Sequence, residues 1–263
     1  MWPAKSKSNI PEAELTRPGH GEFDGVAAYY DYLMRKIPYG QWVDYVEAVL
    51  ERFVHKPRTV LDLCCGTGKV GSEMLRRGYD VVGADLAEPM VRECAQRVPP
   101  LPAVVQDAAQ LGFRAESFDL VVSLYDSLNY ILQPERLVDC LRDAHAILKP
   151  RGMLVFDLNT PRALSTGLFT QENREDDERL QYSWKATWDH RKRLCRVDMW
   201  FSWNEDGTKE VFEETHWQYA YTTAEVTAML REAGFTSVTA YDAFGFRPVT
   251  RWSDRAYHVA RKE

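Results

Sequence analysis

The chain has 263 residues, of which 45% are hydrophobic and 27% charged, a composition typical of a globular protein with a full hydrophobic core. Its net charge of −6 at pH 7 argues against a nucleic-acid partner, because nucleic-acid-binding proteins present a basic face. No apolar run approaches the roughly eighteen residues of a membrane span, so we expect no membrane partner. The five cysteines show neither the spacing of a zinc site nor that of a disulfide framework, so we expect a cytoplasmic protein without disulfides.

The first fifty residues divide into an arm and a helical region. Residues 1–20 contain three prolines and little apolar periodicity, and we expect them to form a flexible arm. The segment Phe23–Phe53 is predicted to be helical with a break near Pro38. Because apolar residues recur at helical spacing from Val43 onwards, this region should pack one face against a sheet.

The next segment, Thr59–Gly68, combines an apolar strand with a glycine-bearing loop. Gly66 and Gly68 lack a Cβ, so the backbone there can turn sharply and approach a ligand closely. Asp62 ends the strand region and can accept a hydrogen bond from an amine. Asp85 ends the following strand about twenty residues later, where a carboxylate binds a ribose diol. The pattern therefore predicts a nucleotide-type cofactor across the carboxyl ends of parallel strands.

Strands and helices alternate from residue 59 to residue 158. The predicted strands are 59–64, 80–84, 103–106, 118–124 and 152–158, and the predicted helices are 69–77, 88–97 and 134–147. This alternation predicts an α/β fold in which helices cover both faces of a mostly parallel sheet.

The pattern changes at Asn159. Three strand-like runs follow at 180–190, 193–204 and 209–221. The turn Asn204–Gly207 is typical of a hairpin, and the basic run Arg191–Arg193 is predicted to be a solvated turn rather than a nucleic-acid patch. We expect residues 159–221 to form an antiparallel β insertion that covers the substrate.

The helical order resumes after the insertion. Thr222–Glu225 has the sequence of a capping box, and the helix that it starts is predicted to end at Gly234. Strands at 237–244 and 255–261 complete the chain. The predicted main domain therefore consists of residues 21–158 and 222–263.

Two cofactors compete for the glycine loop. The spacing Gly66-Thr-Gly68-Lys-Val-Gly71 matches the dinucleotide pattern Gly-x-Gly-x-x-Gly, which leaves an NAD-dependent oxidoreductase as one alternative. The wider context Leu61-Asp-Leu-Cys-Cys-Gly-Thr-Gly68 instead resembles the first motif of class I S-adenosylmethionine-dependent methyltransferases. The chain departs from that motif at Cys64, which stands where the family usually has its first glycine.

The resemblance extends over residues 59–158. Its further matches, in order, are Asp85, the third strand with its trailing Asp-Ala (Val104–Ala108), the fourth strand (Phe118–Leu124) and the Leu-Lys-Pro turn with the fifth strand (Leu148–Asp157). It implies S-adenosylmethionine as the cofactor. It also implies a Rossmann-like, doubly wound sheet of seven mostly parallel strands, whose last two strands form an antiparallel hairpin at the edge.

The resemblance also implies which residues hold the cofactor. Asp62 and the glycine loop would hold its methionine part, Asp85 its ribose, and Asp107 its adenine amine. Similar aminosugar and glycine-type methyltransferases cover the cofactor carboxylate with a tyrosine near the N-terminus, although helix packing is an alternative role for such a residue. The expected cofactor contacts are Tyr29, Tyr30, Asp62, Cys64, Gly66, Gly68, Asp85, Leu86, Asp107, Ala108 and Leu124.

Aromatic residues alternate along the predicted insertion strands. On single faces lie Tyr182, Trp184 and Trp188 in the first strand, Val197, Met199, Phe201 and Trp203 in the second, and Trp217, Tyr219 and Tyr221 in the third. Two interpretations stay open. These faces either pack on the body of the protein or form the wall of a pocket for an apolar or cationic substrate.

Three residues are candidates for contact with the methyl acceptor. His216 shares a strand face with Glu214 and Gln218, and it is either a general base or part of an exposed polar face. Asp126 and Asn129 follow the fourth strand, close to where the family places its acceptor, and their side chains can orient an amine or a hydroxyl.

The predicted function is methyl transfer to a nitrogen or oxygen atom of a small molecule, with nitrogen ahead of oxygen. RNA or protein methylation is one alternative, and a non-catalytic module that binds S-adenosylmethionine is another. The acidic charge and the absence of an Asn/Asp-Pro-Pro-aromatic segment after the fourth strand weigh against RNA. The oligomeric state stays open and includes a homodimer.

Overall fold

The computed structural model describes residues 22–172 and 179–263, so the predicted arm at 1–20 lies outside the described residues. The region Phe23–Phe53 forms two helices, α1 (Ala27–Leu33) and α2 (Tyr39–Arg52), and the break near Pro38 is confirmed. The expected helix start at Phe23 is wrong. Residues 22–26 form turns instead, and the side chain of Glu214 accepts two of their backbone N–H groups.

The remaining elements follow in chain order. They are β1 (Thr59–Leu63), α3 (Lys69–Arg76), β2 (Asp80–Asp85), α4 (Glu88–Ala95), β3 (Ala103–Val105), β4 (Phe118–Ser123), a 3₁₀ turn (Ser127–Tyr130), α5 (Pro134–Ile147), β5 (Leu148–Asn159), α6 (Pro161–Ser165), β6 (Gln171–Glu172), β7 (Leu180–Asp189), β8 (Leu194–Glu205), β9 (Thr208–Tyr219), α7 (Thr223–Glu232), β10 (Ser237–Asp242) and β11 (Arg255–Arg261). The capping box at the start of α7 is confirmed.

Seven strands form the main sheet, in the order β10-β11-β5-β4-β1-β2-β3. Strand β11 runs antiparallel to both of its neighbours, and the other pairs are parallel. Strand order reverses between β1 and β4, and in such sheets this switch point opens a crevice at the carboxyl ends of the strands. The topology confirms the predicted Rossmann-like α/β fold.

Helices bury both faces of this sheet. Leu61 and Leu63 of β1 belong to a core that also contains apolar residues of α5 and α7. Val60, on the opposite face, belongs to a second core with residues of α2 and α3. Because both faces are covered, the central strands are almost continuously apolar, which is why the sequence identified them.

The insertion forms a second, antiparallel sheet in the order β6-β7-β8-β9. Three of its strands were predicted. The two-residue strand β6 was not, since so short a segment carries no periodicity. Asp206 and Gly207 join β8 to β9 with φ values of 50° and 84°, as expected of the predicted hairpin turn. The inner face of this sheet packs against α1 and α4, and the insertion boundaries at 159 and 221 stay a prediction.

Two further findings concern the described residues. None of their helices has the length and apolar character needed to cross a membrane. All five cysteines are free thiols, and the sulfur atoms of Cys65 and Cys94 lie 4.0 Å apart beneath the glycine loop.

Candidate functional site

A cavity of about 780 Å³ lies between the carboxyl ends of the main-sheet strands and the inner face of the second sheet. Eleven of the expected site residues line it, and they are Tyr30, Asp62, Cys64, Gly66, Asp85, Leu86, Asp107, Ala108, Leu124, Asp126 and His216. Three others, Tyr29, Gly68 and Asn129, are not among its lining residues. The cavity therefore joins the expected cofactor region to the expected acceptor region.

The loop after β1 turns through three residues with positive φ. Cys64, Gly66 and Gly68 have φ values of 58°, 53° and 78°. Cys64 adopts the conformation that the usual glycine would take, at a cost of about 1–2 kcal/mol, so the substitution leaves a left-handed turn in place. Gly68 is not among the cavity-lining residues, and its expected cofactor contact stays a prediction. A Cβ there would lie 2.6 Å from a side-chain carbon of Leu101, so only glycine fits at this position without displacing that side chain.

Two buried carboxylates mark the cofactor half of the cavity. Asp62 Oδ2 accepts the N–H of Gly71 at 2.8 Å, and burial raises the pKa of Asp62 to about 7. Asp85 accepts the N–H of Gly66 at 2.7 Å and that of Ala87 at 2.9 Å, and burial raises its pKa as well. A carboxylate offers about four acceptor positions, so both can still accept from a ligand.

These carboxylates fit S-adenosylmethionine better than a dinucleotide. The sulfonium cofactor brings an ammonium group and a positively charged sulfur, whereas a dinucleotide brings a negatively charged pyrophosphate to the glycine loop. Asp62 lies beneath that loop, only 2% exposed, and its negative charge would repel a pyrophosphate. In that arrangement Asp62 would hold the ammonium group, and Asp85 would hold the ribose diol.

Asp107 lines the part of the cavity where the adenine is expected. Its Oδ1 atom accepts the N–H of Ala109 at 2.9 Å, and its Oδ2 atom forms an ion pair with Arg136 of α5. Leu86 and Ala108 also line the cavity. Arg136 was not predicted, because a basic residue in the first turns of a helix carries no distinguishing signal.

The two candidate tyrosines have different surroundings. Tyr30 lines the cavity, whereas Tyr29 stacks on Phe212 and donates its hydroxyl hydrogen to Glu210. The position of Tyr29 therefore gives no support to its expected cofactor contact, whereas Tyr30 lies at the cavity wall.

Replacing Asp62 with asparagine is expected to stabilise the ligand-free protein at pH 8 by about 1–4 kcal/mol while weakening cofactor binding. The folded pKa of about 7 exceeds the ordinary value of 3.8, so stability from this group is present below pH 3.8 and is lost as the pH rises through 7. Asparagine removes the buried charge but can still accept from Gly71. Urea unfolding at pH 5 and pH 8 measures the effect, with exposed Asp24→Asn as control. An equal stability change in both variants would contradict the prediction.

The acceptor half of the cavity is walled by the second sheet. Val197, Met199 and Phe201 of β8 line it, together with Tyr182 and Trp184 of β7. Both interpretations of the aromatic strands therefore hold in part, since these faces pack inward and also border the cavity. The aromatic faces are not all inward, however, and the exception is β9.

Strand β9 turns its polar face inward. Glu214, His216 and Gln218 are buried, whereas Trp217 and Tyr219 are only partly buried on the opposite face. The alternative that the polar residues form an exposed face is wrong. The buried polar groups have partners, as such groups require. Gln218 Nε2, for example, donates to Asp126 Oδ2 at 2.8 Å.

His216 forms a hydrogen-bonded chain with Glu214 and Tyr130. Its Nε2 atom lies 2.8 Å from Glu214 Oε2, and its Nδ1 atom lies 3.2 Å from the hydroxyl of Tyr130. An ionised carboxylate can only accept, so in the neutral imidazole Nε2 carries the proton and Nδ1 keeps its lone pair. Glu214 thereby holds His216 in the tautomer that can accept a proton through Nδ1.

Asp126 lies in a strained turn after β4. Tyr125 and Asp126 have φ values of 71° and 54°, and the carboxylate of Asp157 accepts both of their N–H groups, at 2.6 and 3.0 Å. Arg255 of β11 pairs with both aspartates. This buried network fixes Asp126 at the cavity wall. Asp157 and Arg255 were missed, because their partners lie between 31 and 129 residues away along the chain.

Asn129 does not reach the cavity, and its expected contact with the acceptor is corrected. The side chain is fully buried and joins three elements, because its Nδ2 donates to the carbonyls of Asn159 and Tyr219, at 3.2 and 2.9 Å, and its Oδ1 accepts the N–H of Asn159 at 2.9 Å. Asn129 therefore positions the acceptor half from behind rather than contacting a substrate.

Asn129→Ala is expected to lower the free energy of unfolding by about 2–4 kcal/mol, since three buried backbone groups lose their partner. Urea unfolding measures this loss, with Asn204→Ala at the exposed hairpin as a control that should change stability by less than about 0.5 kcal/mol. The methyl-transfer rate of the folded fraction should hardly change. A large fall in that rate without a loss of stability would restore Asn129 to the acceptor site.

Comparisons with known proteins agree with this geometry. Residues 60–152 match a family described as a methyltransferase domain. The putative methyltransferase YqeM of Bacillus subtilis is 31% identical over 245 residues, which cover 91% of this chain and 97% of that protein. Over most of its length, the chain is therefore similar to a protein described as a methyltransferase.

Solved structures share the fold. An S-adenosylmethionine-dependent methyltransferase from Clostridium acetobutylicum superposes with a TM-score of 0.78 at 23% identity, covering 92% of this chain and 99% of that one. The S-adenosylmethionine-bound amino pentose methyltransferase CalS10 from Micromonospora echinaspora gives a TM-score of 0.72 at 19% identity, covering 90% and 96%.

Proposed function

The chain belongs to the S-adenosylmethionine-dependent methyltransferase family, and we propose that it methylates a small molecule on nitrogen, or on oxygen as the alternative. Its cofactor is S-adenosylmethionine. In this proposal residues 21–158 and 222–263 form the catalytic domain, and residues 159–221 cover the acceptor. The proposed cofactor contacts are Tyr30, Asp62, Cys64, Gly66, Asp85, Leu86, Asp107, Ala108 and Leu124.

One observation carries the proposal: a buried histidine–carboxylate pair faces the same cavity as the cofactor loop. His216 Nδ1 is free of a proton in the tautomer that Glu214 fixes, and both His216 and Asp126 line the cavity. Glu214 also accepts the N–H groups of Gly25 and Val26, so it holds the turn before α1 against β9. A general base at this position suits an acceptor that must lose a proton.

The chain's residues orient the acceptor and remove its proton. The bound cofactor supplies a methyl group on a sulfonium, an already activated leaving group, so positioning contributes most of the remaining rate enhancement. Asp126, fixed by Gln218 and Arg255, orients the nucleophile. His216 accepts the proton at Nδ1 through the hydroxyl of Tyr130, which donates to that nitrogen, and Glu214 stabilises the imidazolium that forms.

Nitrogen is favoured over oxygen by the charges around the acceptor. Carboxylates surround this half of the cavity, and a protonated amine is attracted to them, whereas a hydroxyl gains less. The amino pentose methyltransferase with the same fold is a parallel for an amine acceptor. An amine arrives as an ammonium ion at neutral pH, and His216 would supply the base that it needs before attack.

A methyl-transfer screen tests the proposal. The protein is incubated with S-adenosylmethionine and separate pools of small amines, phenols, RNA and protein, and release of S-adenosylhomocysteine is measured. We expect release above background with the amine pool. Release only with RNA or protein, or with no pool at all, would contradict methylation of a small molecule.

A further inference from the structure

A carboxylate outside the predicted site residues faces the acceptor half of the cavity. Glu22 lies in the turn before α1, and its Oε1 atom accepts the N–H of Trp217 at 3.2 Å. Among the described residues, no lysine or arginine pairs with it. Burial raises the pKa of Glu22 to about 7, which reflects the cost of its charge without a cation nearby. A positively charged ligand would remove that cost.

Aromatic rings surround the space beside Glu22. The ring of Phe23 lies 4.4 Å from that of His216, 5.3 Å from that of Tyr130 and 6.1 Å from that of Tyr30, measured between centroids. All four rings line the cavity. The faces of such rings attract an ammonium ion, so the carboxylate and the rings favour the same kind of group.

The charges in this half of the cavity are unbalanced. Glu22 and Asp126 line it, and Glu214 and Asp157 lie directly behind their hydrogen-bond partners. Among the described residues, the guanidinium of Arg255 is the positive charge that faces these four carboxylates, and it already pairs with two of them. This arrangement attracts cations and disfavours acceptors that carry a phosphate or carboxylate.

Three further cationic side chains of the described residues line the cavity. Lys69 begins α3, next to the glycine loop, and pairs with Asp31 of α1. Arg35 and Lys36 follow α1 in the chain, and Arg35 donates to the carbonyl of Tyr32. Lys69 thus borders the cofactor loop, where its charge is already paired with Asp31.

We propose that the Glu22 carboxylate anchors the acceptor as an ammonium ion and thereby selects primary or secondary amines that carry an uncharged apolar body. The inference rests on the proposed function and names its substrate class. Val197, Met199 and Phe201 provide the apolar wall for the body of such a molecule.

The proton and charge balance of the reaction is consistent with this anchor. The bound ammonium ion gives one proton to the hydroxyl oxygen of Tyr130, whose own proton passes to His216 Nδ1, and the neutral nitrogen then attacks the methyl carbon. The nitrogen–carbon bond forms as the sulfur–carbon bond breaks, which leaves a neutral thioether. The methylated nitrogen keeps a positive charge, so Glu22 neutralises both substrate and product, and the proton leaves from His216 to water.

Binding of matched compounds tests the proposal without turnover. The protein is saturated with S-adenosylhomocysteine and titrated with two series of compounds. Each series has the same number of carbon atoms throughout: 2-phenylethylamine, 2-phenylethanol and phenylacetate in the first, and hexylamine, 1-hexanol and hexanoate in the second. We expect the amine of each series to bind at least tenfold more tightly than its alcohol or acid. Glu22→Gln should weaken the amines at least tenfold and the alcohols less than twofold.

The glutamine variant is suited to this test, because its side-chain oxygen can still accept the N–H of Trp217. Glu213→Gln on the exposed face of β9 makes the same charge change and should alter no affinity. Alcohols or acids that bind as tightly as amines, an equal effect of Glu22→Gln on amines and alcohols, or no binding by either series would overturn the proposal. Glu22-dependent amine binding without methyl transfer would instead contradict the proposed function.

Discussion

Asp85→Ala is expected to weaken binding of S-adenosylmethionine and S-adenosylhomocysteine by about 100- to 1000-fold. The Asp85 carboxylate is buried at the end of β2 and holds the backbone of the glycine loop through the N–H of Gly66. Two ribose hydroxyls donating to its remaining acceptor positions would contribute roughly 1.5–3 kcal/mol each. Alanine removes both contacts and loosens the loop, and calorimetric titration measures the loss.

Asp80→Ala provides a matched control for this titration. Asp80 begins the same strand at the opposite end of the sheet, where it forms an exposed ion pair with Arg58. Exposed pairs contribute little to stability, so cofactor affinity should stay within about twofold of the unchanged protein. NAD is the ligand control and should not bind. Equal affinities of the Asp85 and Asp80 variants would remove Asp85 from the cofactor site.

His216→Gln is expected to lower kcat by about 100- to 10,000-fold, the range typical of a lost general base, with KM changed much less. Glu214→Gln should cause a smaller fall, because the imidazole stays in the site but loses the charge that stabilises its protonated form.

His190→Gln is the control for the histidine variant, since His190 lies exposed in the turn between β7 and β8. Thermal unfolding and S-adenosylhomocysteine affinity should be similar for both proteins, which separates a catalytic effect from a structural one. If His216→Gln kept the rate of the unchanged protein, proton transfer by His216 would be disproved.

The sequence by itself determined the main sheet and the cofactor class. Strands such as Thr59–Leu63 are apolar because helices bury both sheet faces. The continuous apolar run is therefore enough to identify such a strand from the local sequence. The glycine loop and Asp85 can also be recognised locally. The turn that the glycines form and the strand end that carries Asp85 lie within thirty residues of each other in the sequence. Cys64 belongs to the same local pattern, because its backbone adopts the positive φ of the glycine that it replaces.

Only the tertiary structure shows which polar residues face the acceptor half of the cavity. Alternation along β9 shows that Glu214, His216 and Gln218 share a face, but both faces of this strand carry large or polar groups, so the pattern does not tell which face is buried. The contacts of Glu214 with Gly25 and Val26, nearly 190 residues away in sequence, settle that choice. Glu22 reaches the cavity for the same reason, because the turn that carries it is held against β9. Such pairings depend on the packing of distant elements, which no local sequence signal records.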